Sequence, residues 1–158
     1  MISVKIYKPE PYTEAGGFIL ANIANRMVDI ATQHSESLNS VTGIISRLWA
    51  LDPGVLALAA LDNQGHIKGH AIGIIEGDTA YLLQPRVDEP TEGDTIGEFV
   101  ALAEDWLKVY NSAVLGPGIG IAIPGLTLLA RRADPKWMKK YNFSTVKYVM
   151  FKPLKEGE

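Results

Sequence analysis

Hydrophobic residues recur at helical spacing in the first part of the chain, after one short extended run. Residues 4–7 alternate between apolar and polar positions, which predicts a first strand. Apolar residues over 16–33 follow one helical face, so we expect a helix there. Ser35 or Ser37 provides an N-cap for a second helix that ends near Trp49. The pattern therefore begins with a strand and two helices.

Three extended runs come next, separated by short turns. Residues 55–61 are continuously apolar, and residues 66–76 and 79–87 are rich in apolar side chains. The intervening turns, 62–65 and 77–78, contain aspartate and glycine, which accept hairpin geometry. Because such short turns cannot make a parallel crossover, we predict three consecutive antiparallel strands.

A strongly amphipathic helix is predicted from residue 95 to residue 110. Its apolar residues fall on one helical face. They are Ile96, Phe99, Val100, Ala103, Trp106, Leu107 and Tyr110. We expect Phe99 and Trp106 to be largely buried, because they share this apolar face, seven residues apart.

The last part of the chain is less regular. A glycine-rich stretch, 115–125, precedes a short apolar run at 126–130, which we interpret as a strand. Asp134-Pro135 is typical of the cap and first turn of a helix, which we expect over 136–141. Residues 145–154 alternate well enough to predict a final strand.

These elements predict one α/β (α+β) domain over residues 1–158, with a single mixed, mostly antiparallel sheet flanked by helices. The 158 residues are 47% hydrophobic, enough for one sizeable core. A net charge of −3 gives no general attraction to nucleic acid, and no apolar run is long enough to span a membrane. The absence of cysteine excludes thiolate catalysis and agrees with a cytoplasmic protein.

The order of elements and two local stretches resemble the GNAT family of N-acetyltransferases over nearly the whole chain. Residues 55–73 are similar to the strand, turn and strand that open the central sheet of that family. Residues 131–154 are similar to its last helix and strand, with Asn142-Phe143 where many members carry Gly-Phe. Arg131-Arg132 and Trp106 look like those of the divergent GNAT-like proteins encoded by bacteriophages.

The resemblance implies transfer of an acetyl group from acetyl-CoA to a primary amine, carried by a small molecule or a protein. In the family, the backbone of the central strand pairs with the pantetheine arm of CoA. A loop at the start of the long helix holds the pyrophosphate. The matching residues are Leu82, Leu83 and Gln84 in the strand, and Gly93, Asp94, Thr95, Ile96 and Gly97 in the loop.

This loop departs from the family pattern. The usual arginine or glutamine is absent, the glycine spacing differs, and four carboxylates surround the loop, from Glu89, Glu92, Asp94 and Glu98. Carboxylates repel phosphate. Either the loop binds phosphate through its backbone alone, or Asp94 and Glu98 simply cap and stabilise the helix.

The proton donor expected in the family is also replaced. A tyrosine protonates the leaving thiolate in many members, but Met138 stands at its position and cannot transfer a proton. Tyr141 stands at a usually apolar position, so its ring either packs or takes part in catalysis. Asn142 is a mild replacement for glycine, because asparagine tolerates the left-handed conformation.

Three further side chains are candidates for catalysis. His70 could act as a general base, since imidazole titrates near neutrality, or could be a surface or hydrogen-bonded histidine. Glu76 and Gln84 lie on paired strands and could face one cleft, although Glu76 is more simply a solvated strand end. His66 and His70 lie about 13 Å apart by strand rise and cannot share a metal ion, so no metal site is expected.

Two functions remain open at this point. The first is the acetyltransferase activity that the family resemblance implies. The second is a non-catalytic GNAT-fold protein that acts through protein contacts. For the second function, the apolar stretch from Gly116 to Gly125 is a candidate contact surface if it is exposed, and an extension of the sheet if it is buried.

Overall fold

Ten helices and strands make up the described part of the chain. The computed structural model describes residues 1–33, 38–113, 122–129, 135–144 and 152. In chain order the elements are β1 (Lys5–Tyr7), α1 (Glu14–Gln33), α2 (Leu38–Trp49), β2 (Val55–Leu61), β3 (Ile67–Glu76), β4 (Thr79–Leu83), β5 (Arg86–Val87), α3 (Thr95–Ala113), β6 (Leu126–Leu129) and α4 (Pro135–Lys140).

The strands form one six-stranded sheet in the order β1-β2-β3-β4-β6, with β5 paired to β3 beside β4. All pairs are antiparallel except β4 and β6, which run parallel because α3 lies between them in the chain. This confirms the predicted α+β class with a single mixed, mostly antiparallel sheet.

Helices cover both faces of the sheet, so the side chains of β2 are buried on both sides. Alternate residues of Val55–Leu61 face opposite sides, so Val55, Ala57 and Ala59 pack with α1 and α2. Leu56, Leu58 and Ala60 pack against Phe99 and the rest of the buried face of α3. A strand buried on both faces is apolar at every position, which explains the continuous run in the sequence.

The expected third strand, residues 79–87, is interrupted at Gln84-Pro85. Leu82 opposes Gly73 and Arg86 opposes His70, so three residues of this segment stand against two of β3 between those pairs. The extra residue is a β-bulge, and proline cannot donate a hydrogen bond to the ladder. The prediction of one continuous strand was therefore wrong, and the segment consists of β4 and β5.

The long helix agrees with the sequence except at Trp106. Phe99 is fully buried, as predicted. Trp106 is only half-buried: its ring lies over Gly73, where an added Cβ would stand 2.7 Å from a ring carbon. Its indole N–H donates to the carbonyl of Pro53 at 3.0 Å. Trp106 thus covers the edge of the core with its ring and stays partly exposed, because its indole N–H needs a hydrogen-bond partner near the surface.

Several predictions fall on residues outside the described ranges. These are the Ser35 or Ser37 cap, Arg131-Arg132, the Asp134 cap and most of the final strand. Most of the stretch from Gly116 to Gly125 also lies outside them; its described end, 122–125, is not a strand, and Ile123 there is buried. Among the residues that are described, no helix is long and apolar enough to cross a membrane.

Candidate functional site

A pocket of about 500 Å³ lies at the N-terminus of α3. It is lined by the segment from Val87 to Ile96, apart from Glu92, and by Lys140 and Tyr141 at the C-terminal end of α4. The pocket therefore contains Gly93, Asp94, Thr95 and Ile96 of the predicted loop. Gly97 lies one residue deeper in the helix, and Leu82, Leu83 and Gln84 do not line this pocket.

The loop that lines the pocket is held by the beginning of the chain. The N–H of Ile2 donates to the carbonyl of Pro90 at 3.2 Å, and the N–H of Glu92 donates to the carbonyl of Ile2 at 2.8 Å. The hydroxyls of Thr91 and Thr95 are 2.6 Å apart and share a hydrogen bond. These bonds fix the approach of the loop to α3.

Asp94 caps α3, as the structural interpretation of the sequence predicts. Its Oδ1 accepts a hydrogen bond from the N–H of Gly97 at 3.1 Å. A Cβ at position 97 would lie 2.3 Å from the Asp94 carboxylate, so glycine makes room for this cap. The N–H groups of Thr95 and Ile96, in the first helical turn, have no acceptor in the described part of the chain.

Two residues at the C-terminal end of α4 bind the same carboxylate. The hydroxyl of Tyr141 donates to Asp94 Oδ1 at 2.8 Å, and Lys140 Nζ lies 3.6 Å from that oxygen. Desolvation opposes ionisation of Asp94, but the bonds from Tyr141 and Gly97 outweigh it and hold its pKa below the ordinary value. Desolvation and the hydrogen bond to Asp94 raise the pKa of Tyr141, so its hydroxyl keeps its proton at neutral pH.

A phosphate group therefore fits this helix end only in part. Favouring it are the positive end of the helix dipole, the two N–H groups of Thr95 and Ile96, and the nearby Lys140 ammonium. Opposing it is the ionised Asp94, which already occupies the N–H of Gly97. Of the other predicted carboxylates, Glu89 lines the pocket, whereas Glu92 and Glu98 are exposed outside it.

The backbone predicted to pair with pantetheine is engaged in the sheet. Leu82 and Leu83 oppose Leu128 and Leu129 of β6, and the N–H of Gln84 donates to the carbonyl of Leu129 at 3.0 Å. The side chain of Gln84 is exposed. A pantetheine arm would have to displace β6 from this end of β4, so the pairing stays a prediction.

His70 is a hydrogen-bonded histidine, one of the two interpretations that its sequence allowed. It is 5% exposed, and its Nδ1 accepts a hydrogen bond from Arg26 Nε at 3.0 Å. Burial and the charge of Arg26 lower the pKa of His70 to about 4. With its acceptor nitrogen occupied, the neutral ring carries its proton on Nε2 and has no lone pair left for a general base.

Glu76 is the last residue of β3, beside the start of β4, whereas Gln84 follows the end of β4. The two side chains therefore do not face one cleft. Glu76 opposes Thr79 at the hairpin, and Gln84 follows Leu83 at the other end. The two are separated by about 16 Å of strand at a rise of 3.3 Å per residue. Glu76 is exposed, with Arg47 at 4.0 Å, and is the solvated strand end that the simpler interpretation expected.

Sequence reasoning missed Arg26, Asp88 and Lys140. Arg26 binds both carboxylate oxygens of Asp88, at 2.7 and 2.6 Å, in addition to His70. The signal for Arg26 was present, because it falls on the apolar stripe of α1, three residues after the buried Ile23. Asp88 and Lys140 carried no local signal, since each acts on a residue far away in the chain.

The remaining predictions about the site have mixed outcomes. Asn142 has a φ of 60°, so it does adopt the left-handed conformation expected at the position of the family glycine. The side chain of Met138 lies outside the described set. Within the described residues, no group of histidine, aspartate and glutamate side chains could hold a metal ion.

Comparison with known proteins identifies the fold. No protein-family model matches the chain, and no curated protein matches it by sequence. A solved structure from Pyrococcus furiosus, provisionally assigned as an acetyl transferase, superposes with a TM-score of 0.60 at 18% identity, covering 96% of this chain and 100% of its own. Glucosamine-6-phosphate N-acetyltransferase from Arabidopsis thaliana gives 0.58 at 12% identity, covering 97% and 99%. At these identities the likeness establishes the fold, which is that of the GNAT acetyltransferases.

Proposed function

We propose that the chain is a GNAT-like N-acetyltransferase that transfers an acetyl group from acetyl-CoA to a primary amine. The observation that carries this proposal is the pocket at the N-terminus of α3, which begins directly after the break in the sheet at Gln84-Pro85. A helix N-terminus can receive a pyrophosphate, and β-bulges are over-represented beside active sites.

Acetyl-CoA supplies the activated acyl group as a thioester. The amine nitrogen attacks the carbonyl carbon, a C–N bond forms, the C–S bond breaks, and the thiolate takes up a proton. The protein contributes mainly by holding donor and acceptor together, which lowers the entropic cost of a bimolecular step. The N–H groups of Thr95 and Ile96 and the Lys140 ammonium would hold the phosphates.

Among the four candidate catalytic residues, Tyr141 is best placed to move a proton. It is the one that lines the pocket, and its raised pKa keeps the hydroxyl protonated at neutral pH. To protonate the leaving thiolate, the hydroxyl would turn from Asp94 towards the sulfur. Gln84 does not titrate, His70 has its acceptor nitrogen occupied by Arg26, and Glu76 ends β3 at the hairpin, opposite Thr79. The amine proton would then leave to water.

A second function is favoured by one specific observation, the Asp94 carboxylate that already occupies the end of α3. A GNAT-fold protein whose phosphate site is closed by its own side chain would be non-catalytic and act through protein contacts. The stretch from Gly116 to Gly125 remains the expected contact surface, and the resemblance to phage-encoded proteins belongs to this alternative. The enzyme, by contrast, implies a compartment that contains acetyl-CoA, for which we propose the cytoplasm.

The two functions are separated by an acetylation assay. The chain has no cysteine, so the CoA thiol released on transfer can be measured with a thiol reagent without background from the protein. A panel of primary amines is incubated with acetyl-CoA, and the acetylated amine is identified by mass spectrometry. Amine-dependent thiol release supports the enzyme. Absence of release with every amine, in protein that remains folded, contradicts it.

A further inference from the structure

Arg86, the first residue of β5, is a half-buried cation whose backbone pairs with β3. Within the residues that the structure describes, its guanidinium makes no hydrogen bond or ion pair. Arginine side chains that are shielded from solvent normally bind a carboxylate, because their five N–H donors otherwise lose water without replacement. An unpaired guanidinium at such a place is therefore suited to an external anion.

The pairing of β5 places Arg86 on the same face of the sheet as α1. Arg86 directly opposes His70 on β3, and directly opposed residues of an antiparallel pair point to the same side. His70 contacts Arg26 of α1, which fixes that side. The next residue, Val87, packs with the core under α3, on the opposite face.

The surroundings of Arg86 contain more hydrogen-bond donors than acceptors. Both oxygens of Asp88 are bound by Arg26, and Arg26 also fills the acceptor nitrogen of His70. The second nitrogen of the His70 ring is consequently a further donor. The charges of Arg26 and Arg86 both act on His70, while Arg26 and Lys68 both act on Asp88. Asp88 is therefore already neutralised by Arg26, and Lys68 acts on it as well.

We propose that Arg86, beside the donor nitrogen of His70, binds an anionic group, a carboxylate or a phosphate, carried by the acceptor amine. This inference rests on the proposed acetyltransferase function. Arg86 lies two residues beyond Gln84, about 7 Å along the strand, so the anion would sit a few bonds away from an amine at the break in the sheet. The acceptor is then an amino acid or a phosphorylated amine.

Direct binding tests the anion site without any catalysis. The probes are O-phosphoethanolamine and β-alanine, each titrated by calorimetry into the wild-type protein and the Arg86→Gln variant. Lys108→Gln is the matched control, because it removes one positive charge from an exposed position on α3, far from Arg86. We expect Arg86→Gln to weaken binding at least about tenfold, whereas Lys108→Gln leaves it unchanged. Arg86→Lys should restore part of the affinity, since lysine keeps the charge but loses the planar fork.

Kinetics with matched acceptors provide the second arm. Ethanolamine and β-alaninamide carry the same amines without the anion, and comparing the two anionic probes distinguishes phosphate from carboxylate. In Arg86→Gln we expect KM for the anionic acceptors to rise at least about tenfold, while kcat for them stays within about twofold of the wild-type value. For the neutral acceptors, both KM and kcat should stay within about twofold of the wild-type values. A general structural defect would lower kcat for every acceptor.

The outcomes separate this inference from the proposed function. If binding depends on Arg86 but no amine is acetylated, the anion site is supported and the acetyltransferase function is contradicted. Transfer with equal efficiency for charged and neutral acceptors, unaffected by Arg86→Gln, keeps the acetyltransferase and overturns the anion site. Failure of both probes to bind wild-type protein at millimolar concentration also overturns it.

Discussion

At the scale of single residues, the polar groups of the candidate site form hydrogen bonds mainly with other side chains of the protein. Asp94 accepts a hydrogen bond at the N-terminus of α3, and Arg26 donates to the acceptor nitrogen of His70, so charged side chains of the protein occupy both places. Asp94 could be identified from the sequence, because N-caps obey a local rule. The partners of His70 could not, since Arg26 lies 44 residues away.

The fit between Asp94 and Gly97 predicts an inverted effect of a helix-stabilising substitution. Gly→Ala inside a helix normally stabilises by about 0.5–1 kcal/mol. At position 97 the added Cβ would meet the Asp94 carboxylate at 2.3 Å, so Gly97→Ala would lose the cap at a cost of up to about 2 kcal/mol. After the gain in helix propensity is subtracted, the net destabilisation should be up to about 1 kcal/mol. In an Asp94→Ala background the same change should stabilise. Urea unfolding of the four proteins of this cycle checks the prediction, and additive effects would contradict it.

The environment of His70 predicts loss of stability in mild acid. Its pKa is about 4 in the folded protein and about 6.5 when unfolded, so the unfolded state binds more protons between these values. The stabilisation is complete above about pH 6.5 and falls as the pH is lowered towards 4, by about 2 kcal/mol between pH 7.5 and pH 5. Protonation would add a third positive charge beside Arg26 and Arg86, with Asp88 as the opposing carboxylate among the described residues.

His70→Gln provides the comparison for this effect, because glutamine can accept from Arg26 but does not titrate. The free energy of unfolding is measured by urea denaturation at both pH values. The wild type should lose about 2 kcal/mol more than the variant. An equal loss in the two proteins would show that the acid sensitivity comes from other groups, such as Asp88.

At the scale of elements, regular segments were predictable and interruptions were not. The bounds of β2, Val55–Leu61, follow from burial on both faces, which leaves an unmistakable apolar run. The sequence analysis missed the division of residues 79–87 into β4 and β5, because the apolar pattern continues across the bulge. Pro85 was a signal of this break, since proline cannot donate a hydrogen bond to the sheet. The same break begins β5, which carries Arg86, the residue proposed to bind the anion.

The role of Trp106 as a partly exposed lid over Gly73 predicts a graded response to substitution. Trp106→Ala should destabilise by about 3 kcal/mol, at the low end for an aromatic truncation, because part of the ring is already in solvent. Trp106→Phe retains much of the packing and loses the bond to Pro53, so it should cost about 1 kcal/mol. Denaturation midpoints test both. Equal losses in the two variants would mean that the hydrogen bond, not the packing, holds this helix.

At the scale of the whole molecule, topology brings together residues that the sequence keeps far apart. Tyr141 reaches Asp94 across 47 residues, and Arg26 reaches Asp88 across 62. Such pairs have no local pattern, so the fold class and the Asp94 cap could be predicted from the sequence, but not the bond from Tyr141 to Asp94 or that from Arg26 to Asp88. The pocket joins the N-terminal loop contact, the start of α3 and the end of α4 in one site.

The most direct measurement is a calorimetric titration of acetyl-CoA into the wild type and the Glu92→Gln/Asp94→Asn double variant. Asparagine can still cap α3, so folding is preserved while the charge is removed. We predict weak binding to the wild type and binding tighter by about three- to tenfold in the variant, with the larger gain at low ionic strength. Low-micromolar binding to the wild type that weakens in the variant would show that the acidic loop is part of a working site. Absence of binding to either protein at millimolar concentration would contradict the acetyltransferase assignment itself.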